Sequence, residues 1–151
     1  MLRNEINAAL KDAMKARDQR RVGTLRLINS AIQSADIEAG GLGKPALADD
    51  ALLAILQKMI KQRQESADIY EKNGRAELAQ QERAEIDIIS GYLPKQMSDV
   101  EAGAAISSLV QEINAQGMKD MGRVMAALKE RFTGKLDFTK ASAKVRDLLK
   151  G

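Results

Sequence analysis

The sequence has no cysteine, no histidine and no tryptophan, and only two tyrosines and two phenylalanines in 151 residues. Without cysteine there is no disulfide and no thiolate nucleophile, and without histidine the commonest general base and zinc ligand is missing. The motifs GxxxxGK[ST], GxGxxG, GxSxG and HExxH are absent too, which removes the usual nucleotide-binding and hydrolase templates. We therefore expect no catalytic residue, no cofactor and no metal.

Long apolar runs are also missing. No stretch approaches the roughly 18 consecutive apolar residues that a spanning helix requires, so we expect no membrane partner. The first 21 residues mix apolar and charged side chains at helical spacing, which is not the pattern of a secretory signal peptide. Together with the lack of cysteine, this predicts a cytosolic protein.

What is present is 44% hydrophobic and 30% charged residues, enough apolar surface to build a folded core. Apolar residues recur every three or four positions along the whole chain, and no segment alternates as a strand does, so we predict an all-α fold. Pro94 interrupts the pattern because it lacks an amide hydrogen. We predict a four-helix N-terminal domain over residues 1–93, a hinge at 94–97, and a small three-helix domain over 98–151.

Local signals mark several helix ends. Asp18 and the Ser98 to Glu101 capping box are expected to begin helices, and the glycine-rich residues 40–48 are expected to form a loop. Gly23 lies inside the second predicted helix, where glycine costs about 1 kcal/mol relative to alanine. Close approach of a neighbouring helix is the expected reason for this glycine.

Charge is unevenly distributed. Residues 117–151 contain nine basic and four acidic residues, whereas the whole chain has a net charge of only +3. Such a segment favours contact with a polyanion, although a solvated face is the plainer interpretation. The candidate nucleic-acid-binding residues are Lys119, Arg123, Lys129, Arg131, Lys135, Lys140 and Lys144. A second basic group lies near the first helical junction and comprises Lys11, Lys15, Arg17, Arg20, Arg21 and Arg26.

Acidic residues also cluster, at Glu82, Glu85 and Asp87 of the fourth predicted helix. A carboxylate pair can serve as acid and base, and hard cations prefer oxygen ligands. Exposed acids are nevertheless ordinary on helix surfaces. We expect these three residues to be solvated.

Two segments carry a family resemblance. Residues 58–98, KMIKQRQESADIYEKNGRAELAQQERAEIDIISGYLPKQMS, and residues 117–137, GMKDMGRVMAALKERFTGKLD, resemble the YqeY-like proteins. The ordered features are QRxES, the Glu-Lys-Asn-Gly turn and YLPKQ. The resemblance implies a C-terminal domain shared with the tail of GatB, a subunit of the glutamine-dependent aspartyl/glutamyl-tRNA amidotransferase, in which the tail helps to hold tRNA.

The resemblance and the charge pattern leave three functional hypotheses. The first is a non-catalytic accessory module that binds tRNA or another structured RNA through the C-terminal helices. The second is a protein-interaction adaptor without RNA, in which Met118, Met121 and Met125 form an adaptable groove. The third is a component linked to carbon–nitrogen ligase activity with glutamine as amido-N-donor, whose partner is an amidotransferase.

Overall fold

In a computed structural model, which describes residues 1–150, every regular element is helical. The all-α class predicted from the apolar periodicity is confirmed. A single 3-10 turn, Met118–Asp120, precedes α6 and was not predicted. The helices are α1 Leu2–Lys15, α2 Gln19–Gly41, α3 Asp49–Lys72, α4 Ala76–Ser90, α5 Asp99–Glu112, α6 Met121–Phe132 and α7 Phe138–Lys150.

The chain divides into two compact units, Met1–Pro94 and Lys95–Gly151. The first unit contains α1 to α4, and the second contains α5 to α7. On its C-terminal side the predicted hinge is bonded to the second unit, because Gln96 Nε2 donates to the Gly134 carbonyl at 2.5 Å and the Met97 amide donates to the Lys135 carbonyl at 2.9 Å. A hinge function of residues 94–97 stays a prediction.

The core of the first unit is aliphatic and draws on all four helices. Each helix turns one apolar stripe inward, as the spacing of its leucines and isoleucines requires. Fully buried side chains at this centre pack without an aromatic anchor, and Tyr92 lies only at the edge. The buried cluster comprises Leu2, Ile6, Ala13, Leu25, Ile28, Ile32, Leu52, Leu56, Met59 and Ile89.

An ion pair holds the start of α1 against the end of α2. Arg3 donates two hydrogen bonds to the Asp36 carboxylate, at 2.6 and 2.7 Å, and a third to the Leu47 carbonyl at 2.8 Å. Asp36 also accepts the Leu47 amide at 3.0 Å. Because each charged group meets several partners, this arrangement fixes the α2–α3 loop as well as the two helices.

The end of α2 differs from the prediction. Residues 40 and 41 were expected to belong to the loop, but α2 continues to Gly41, because Ala39 is buried and extends the apolar stripe. Gly43 then ends the helix with φ of 74°. The amide of Lys44 donates back to the Ala39 carbonyl at 2.8 Å, a closure that needs a left-handed residue.

Helices α3 and α4 form an antiparallel hairpin. Gly74, with φ of 73°, makes the turn, and the small residues Ala67 and Ala79 are both buried near it. Small side chains at these two positions let α3 and α4 approach each other closely beside the turn. Arg63 of α3 crosses to Glu85 of α4 with an Nε to Oε2 distance of 2.8 Å.

The second unit has its own aliphatic core. Ile106 and Leu109 of α5 meet Val124 and Leu128 of α6 and Val145 of α7, all at most 1% exposed. The predicted capping box is present, since Ser98 Oγ accepts the Glu101 amide at 3.1 Å and Glu101 accepts the Ser98 amide at 3.2 Å. The core and the cap thus both follow from the local sequence pattern.

Gly23 does not mark a close helix contact. A methyl group built at this position would meet no atom within 4 Å, so the expectation of tight packing is wrong. The residue lies on the solvent side of α2, whose buried positions are Thr24, Leu25, Ile28 and others on the opposite side.

Among residues 1–150, no helix combines the length and apolar character needed to cross a bilayer.

Candidate nucleic-acid interface

All seven candidate cations are exposed in the second unit. Lys119 lies in the 3-10 turn, Lys135 lies between α6 and α7, and the other five lie on those two helices. Exposure makes each of them available to a phosphate group. The arrangement of their neighbours decides how much of that charge is free.

Three of the seven cations face acidic partners. Arg131 makes two hydrogen bonds with Glu112, at 2.7 and 2.8 Å. Arg123 lies 3.4 Å from Asp120 of the preceding turn, and Lys140 lies 4.0 Å from Asp99. The bidentate pair is the strongest of these contacts, because a planar guanidinium matches the two carboxylate oxygens.

The pKa shifts follow the same contacts. Hydrogen bonding to Arg131, with its positive charge, lowers the pKa of Glu112. The Gln116 amide lowers the pKa of Asp120, and the charges of Arg123 and Lys119 add to the effect. Both carboxylates are therefore ionised at neutral pH, and they offset part of the positive charge predicted for this surface.

Four candidate residues make no ion pair within 4 Å in the part of the chain that the structure describes. Without an ion pair within this distance, most of their charge is balanced by solvent and counterions, and a phosphate backbone would release those counterions. These residues are Lys119, Lys129, Lys135 and Lys144.

The cations of α6 do not share one face. Successive helical residues are rotated by about 100°, so Lys129 and Arg131 project about 200° apart. Arg123 lies roughly midway between them on the side opposite the buried Val124 and Leu128. The predicted basic surface is therefore spread around α6.

On α7, two cations lie on the side toward α5. Lys140 approaches Asp99, and one turn later the Lys144 Cε lies 3.9 Å from the position that a Cβ on Gly103 would occupy. Because 99 and 103, like 140 and 144, are four residues apart, these contacts give α5 and α7 a parallel register. A Cβ at Gly103 would only touch the aliphatic part of Lys144 at an ordinary contact distance, and Lys144 itself is exposed.

A second basic region lies in the first unit, where α1 meets α2. We call it the α1–α2 corner and define it as Lys11, Lys15, Arg17, Arg20 and Arg26. All five are exposed, and none makes an ion pair within 4 Å among the described residues. Arg21, the sixth basic residue predicted here, instead donates to the Tyr92 hydroxyl at 3.2 Å.

The acidic cluster of α4 is not simply solvated. Asp87 is exposed, but Glu82 and Glu85 are half-buried, and Glu85 pairs with Arg63. Burial raises the pKa of Glu82, and the charge of Glu85 raises it further while Arg63 opposes the rise. Within residues 1–150 no three acidic residues are placed to hold a metal ion. Through the pair of Glu85 with Arg63, this acidic cluster connects α4 to α3.

One depression opens beside the Arg3–Asp36 pair, with a volume of about 300 Å³. Both charged groups already bind each other, and Asn29 donates to Asn7 at 3.2 Å. The polar groups that a small molecule would need are thereby engaged.

The ion pairs of Arg3 and Arg63 could not be predicted from local patterns, since their partners lie 33 and 22 residues away.

Comparison with known proteins tests the family resemblance carried by residues 58–98 and 117–137. The family model described as Yqey-like protein matches residues 3–149. The chain belongs to the YqeY-like family. The match covers almost the whole chain, so the family model includes both units.

Several relatives carry the name Altered inheritance of mitochondria protein 41, mitochondrial, including the following three. The one from Pyrenophora tritici-repentis is 30% identical over 133 residues, covering 83% of this YqeY-like chain and 70% of the relative. Those from Lachancea thermotolerans and Eremothecium gossypii are 37% and 33% identical and cover 69% and 78% of the chain. The matched regions span 55% and 64% of these two relatives.

The names of the relatives contradict the predicted cytosolic location, because each of the three is called mitochondrial. The prediction of a cytosolic location was wrong because it was drawn from the lack of cysteine and of a signal peptide pattern. The absence of cysteine excludes disulfides, but it does not distinguish one reducing compartment from another.

Proposed function

We propose that this YqeY-like protein is a non-catalytic accessory module that binds tRNA or another structured RNA through its second unit. The observation that carries the proposal is a set of four exposed lysines that make no ion pair within 4 Å among residues 1–150, Lys119, Lys129, Lys135 and Lys144. Phosphate contacts of this kind bind without reading bases. The resemblance of this unit to the GatB tail supports tRNA as the ligand.

The surroundings of these lysines favour a folded RNA over an unpaired strand. Single-stranded recognition relies on bases stacked on aromatic side chains. The aromatic residues of the second unit are Phe132 and Phe138, and both pack against its core. Contact through backbone shape and charge is therefore the mode that the unit supports.

The test is filter binding of labelled tRNA by the full chain over a range of salt concentrations. We expect a triple Lys129→Gln, Lys135→Gln, Lys144→Gln variant to flatten the slope of log K against log salt by about 2 to 3, because each phosphate contact contributes about 0.7 to 0.9. A Lys44→Gln, Lys58→Gln, Lys72→Gln variant removes the same charge elsewhere and should leave the slope unchanged. Absence of tRNA binding by the unaltered protein at low salt would disprove the proposal.

A second variant tests whether Glu112 restrains Arg131. Glu112→Gln frees the guanidinium, so the salt slope should steepen by about 1. Asp147→Asn makes the same change in net charge at an exposed residue that has no ion pair within 4 Å in the described part of the second unit. Equal effects of the two substitutions would show that only net charge matters and that Arg131 makes no phosphate contact.

Exposed apolar side chains support a protein-interaction adaptor as the second candidate. Val100 is 84% exposed and Met118 is 45% exposed, whereas Met121 and Met125 pack against the core. Of the three methionines, only Met118 therefore has an exposed side chain, and the other two are held against the core. Pull-down of a partner that resists nuclease and is lost in Met118→Ser would favour the adaptor over the RNA-binding module.

The link to an amidotransferase is a further proposal with its own test. The purified chain would be added to an amidotransferase from which the B-subunit tail has been deleted. Restored amidation of tRNA would support a role as a component linked to carbon–nitrogen ligase activity. No restoration would separate RNA binding from that role.

A further inference from the structure

We propose that the α1–α2 corner binds the phosphate backbone of a structured RNA. The inference rests on the proposed RNA-binding function, and it assigns part of the contact to the first unit. It would make the protein a two-site RNA binder, with one basic surface on each unit. The position, direction and neighbours of the five cations support it.

The cations lie close together along the helices. The hydrogen bond between Asn29 and Asn7 sets the antiparallel register of α1 and α2. With that register, Lys11 lies level with the turn that holds Arg26, and Lys15 lies level with the turn that holds Arg20. The five cations of the corner therefore span only about 10 Å along the helix axes.

The cations also project away from the core. On α1, Lys11 and Lys15 are four residues apart and lie opposite the buried side of the helix. On α2, Arg26 is rotated by about 130° from the centre of the buried residues Leu25 and Ile28. Arg17 occupies the bend itself, with φ of 56°. Exposed charge thus lies on the solvent side of both helices and at the bend between them.

Acidic side chains offset only part of this charge. Between residues 11 and 26 the acids are Asp12 and Asp18. Asp18 is engaged at the start of α2, where Oδ1 accepts the Arg21 amide at 3.2 Å. Five cations so close together repel one another, and a polyanion relieves this repulsion while releasing bound counterions.

A membrane surface is the other polyanion to consider, because Met14 and Leu27 are 51% and 47% exposed. Helices that lie on a membrane insert their apolar face into the lipid. The apolar face of α1 is already used, since Leu2 and Ile6 are buried in the core of the first unit. The corner therefore favours RNA.

The experiment compares charge-matched variants of the full chain in tRNA binding across a salt series. Lys11→Gln, Lys15→Gln, Arg20→Gln should reduce the slope of log K against log salt by about 2 to 3 and weaken binding at least about tenfold at low salt. The control Lys44→Gln, Lys58→Gln, Lys72→Gln should keep the original slope. Lys11→Arg, Lys15→Arg, Arg20→Lys retains the charges and should bind as the unaltered protein does.

The outcomes separate this inference from the proposed function. If the corner variant keeps the original slope while the Lys129, Lys135, Lys144 variant loses it, the corner inference falls and the proposed function stands. If the unaltered protein binds no tRNA, both fall. If the corner variant loses binding to phosphatidylserine vesicles and retains tRNA binding, the surface is a membrane contact and the inference is overturned. Far-ultraviolet circular dichroism checks that each variant is folded.

Discussion

The two units use their charged side chains in different ways. The first unit has 14 basic and 14 acidic residues. Two of its pairs, Arg3–Asp36 and Arg63–Glu85, are half-buried links between helices, whereas the contacts of Arg83 with Glu71 and Asp68 are exposed. The second unit carries a net charge of +3, and its pair Arg131–Glu112 is exposed. Exposed pairs contribute little to stability. The second unit therefore depends mainly on its core and caps, and its charge remains available for binding.

The largest expected effect comes from the core of the second unit. Leu128 is fully buried, and Leu128→Ala should cost about 2 to 5 kcal/mol. A unit of this size has little stability to spare, so we expect it to lose its helices. Both tyrosines lie in the first unit and both phenylalanines in the second. Urea titration should thus show reduced helicity with an unchanged tyrosine transition.

The matched substitution in the first unit is Leu56→Ala, at an equally buried position. It should move the tyrosine transition to lower urea instead. A tyrosine transition that moves equally in both variants would show that the two units unfold together. The comparison between independent units would then fail.

The next effect concerns the Arg3–Asp36 pair. Hydrogen bonds from Arg3 and from the Leu47 amide lower the pKa of Asp36 from 3.8 to about 2. A lowered carboxyl pKa stabilises the folded state above pH 3.8, and that contribution is lost as the pH falls toward 2. Asp36→Asn should destabilise the first unit at neutral pH and flatten its acid titration over this window.

The measurement is the free energy of unfolding from tyrosine fluorescence at several pH values. Glu112→Gln is the control in the second unit, where the pair is exposed, and it should leave the tyrosine signal unaltered. If Asp36→Asn and the unaltered protein lose stability equally between pH 4 and pH 2, Asp36 is not the group that titrates.

A smaller effect is expected at the helix caps. Ser98→Ala removes the side-chain bond to the Glu101 amide and should cost the second unit about 1 kcal/mol. In the first unit the N-cap residue of α3 is Ala48, which provides no side-chain cap but already has extended backbone angles. Ala48→Ser should therefore stabilise that unit by up to about 1 kcal/mol. Chemical denaturation followed by circular dichroism tests both, and a stabilising Ser98→Ala would contradict the capping box.

The smallest predicted effect is a gain at two glycines. Gly23 of α2 has open space around it, and a Cβ on Gly103 of α5 would meet only Lys144 Cε at 3.9 Å. Alanine at either position should stabilise its unit by about 0.5 to 1 kcal/mol, because glycine costs helix stability without a packing gain. Thermal unfolding measures both variants. A loss of stability in Gly23→Ala would reveal a constraint on α2 that its surroundings do not explain.

Much of the fold could be predicted because its signals are local. Asp18, Ser98 and Gly74 mark helix ends through contacts within a few residues, and the structure places each of them there. The end of α2 could not be predicted as well. Gly40 and Gly41 stay helical next to the buried Ala39, and the burial of a residue depends on tertiary packing that a local pattern does not contain.

The candidate site was only partly predictable. All seven cations are exposed, as a binding surface requires, but their pairing with acids and their spread around α6 were not foreseen. Sequence proximity made them look like one cluster. The α1–α2 corner carries five further exposed cations that make no ion pair within 4 Å among the described residues.

The sequence by itself determined the helical class, most helix ends and membership of the YqeY-like family, because these depend on residues a few positions apart or on their order. Only the tertiary structure decided which charges are neutralised. Arg131 meets Glu112 across 19 residues and Arg3 meets Asp36 across 33. Such partners are chosen by packing, since the helices must already be in place before the two side chains can touch.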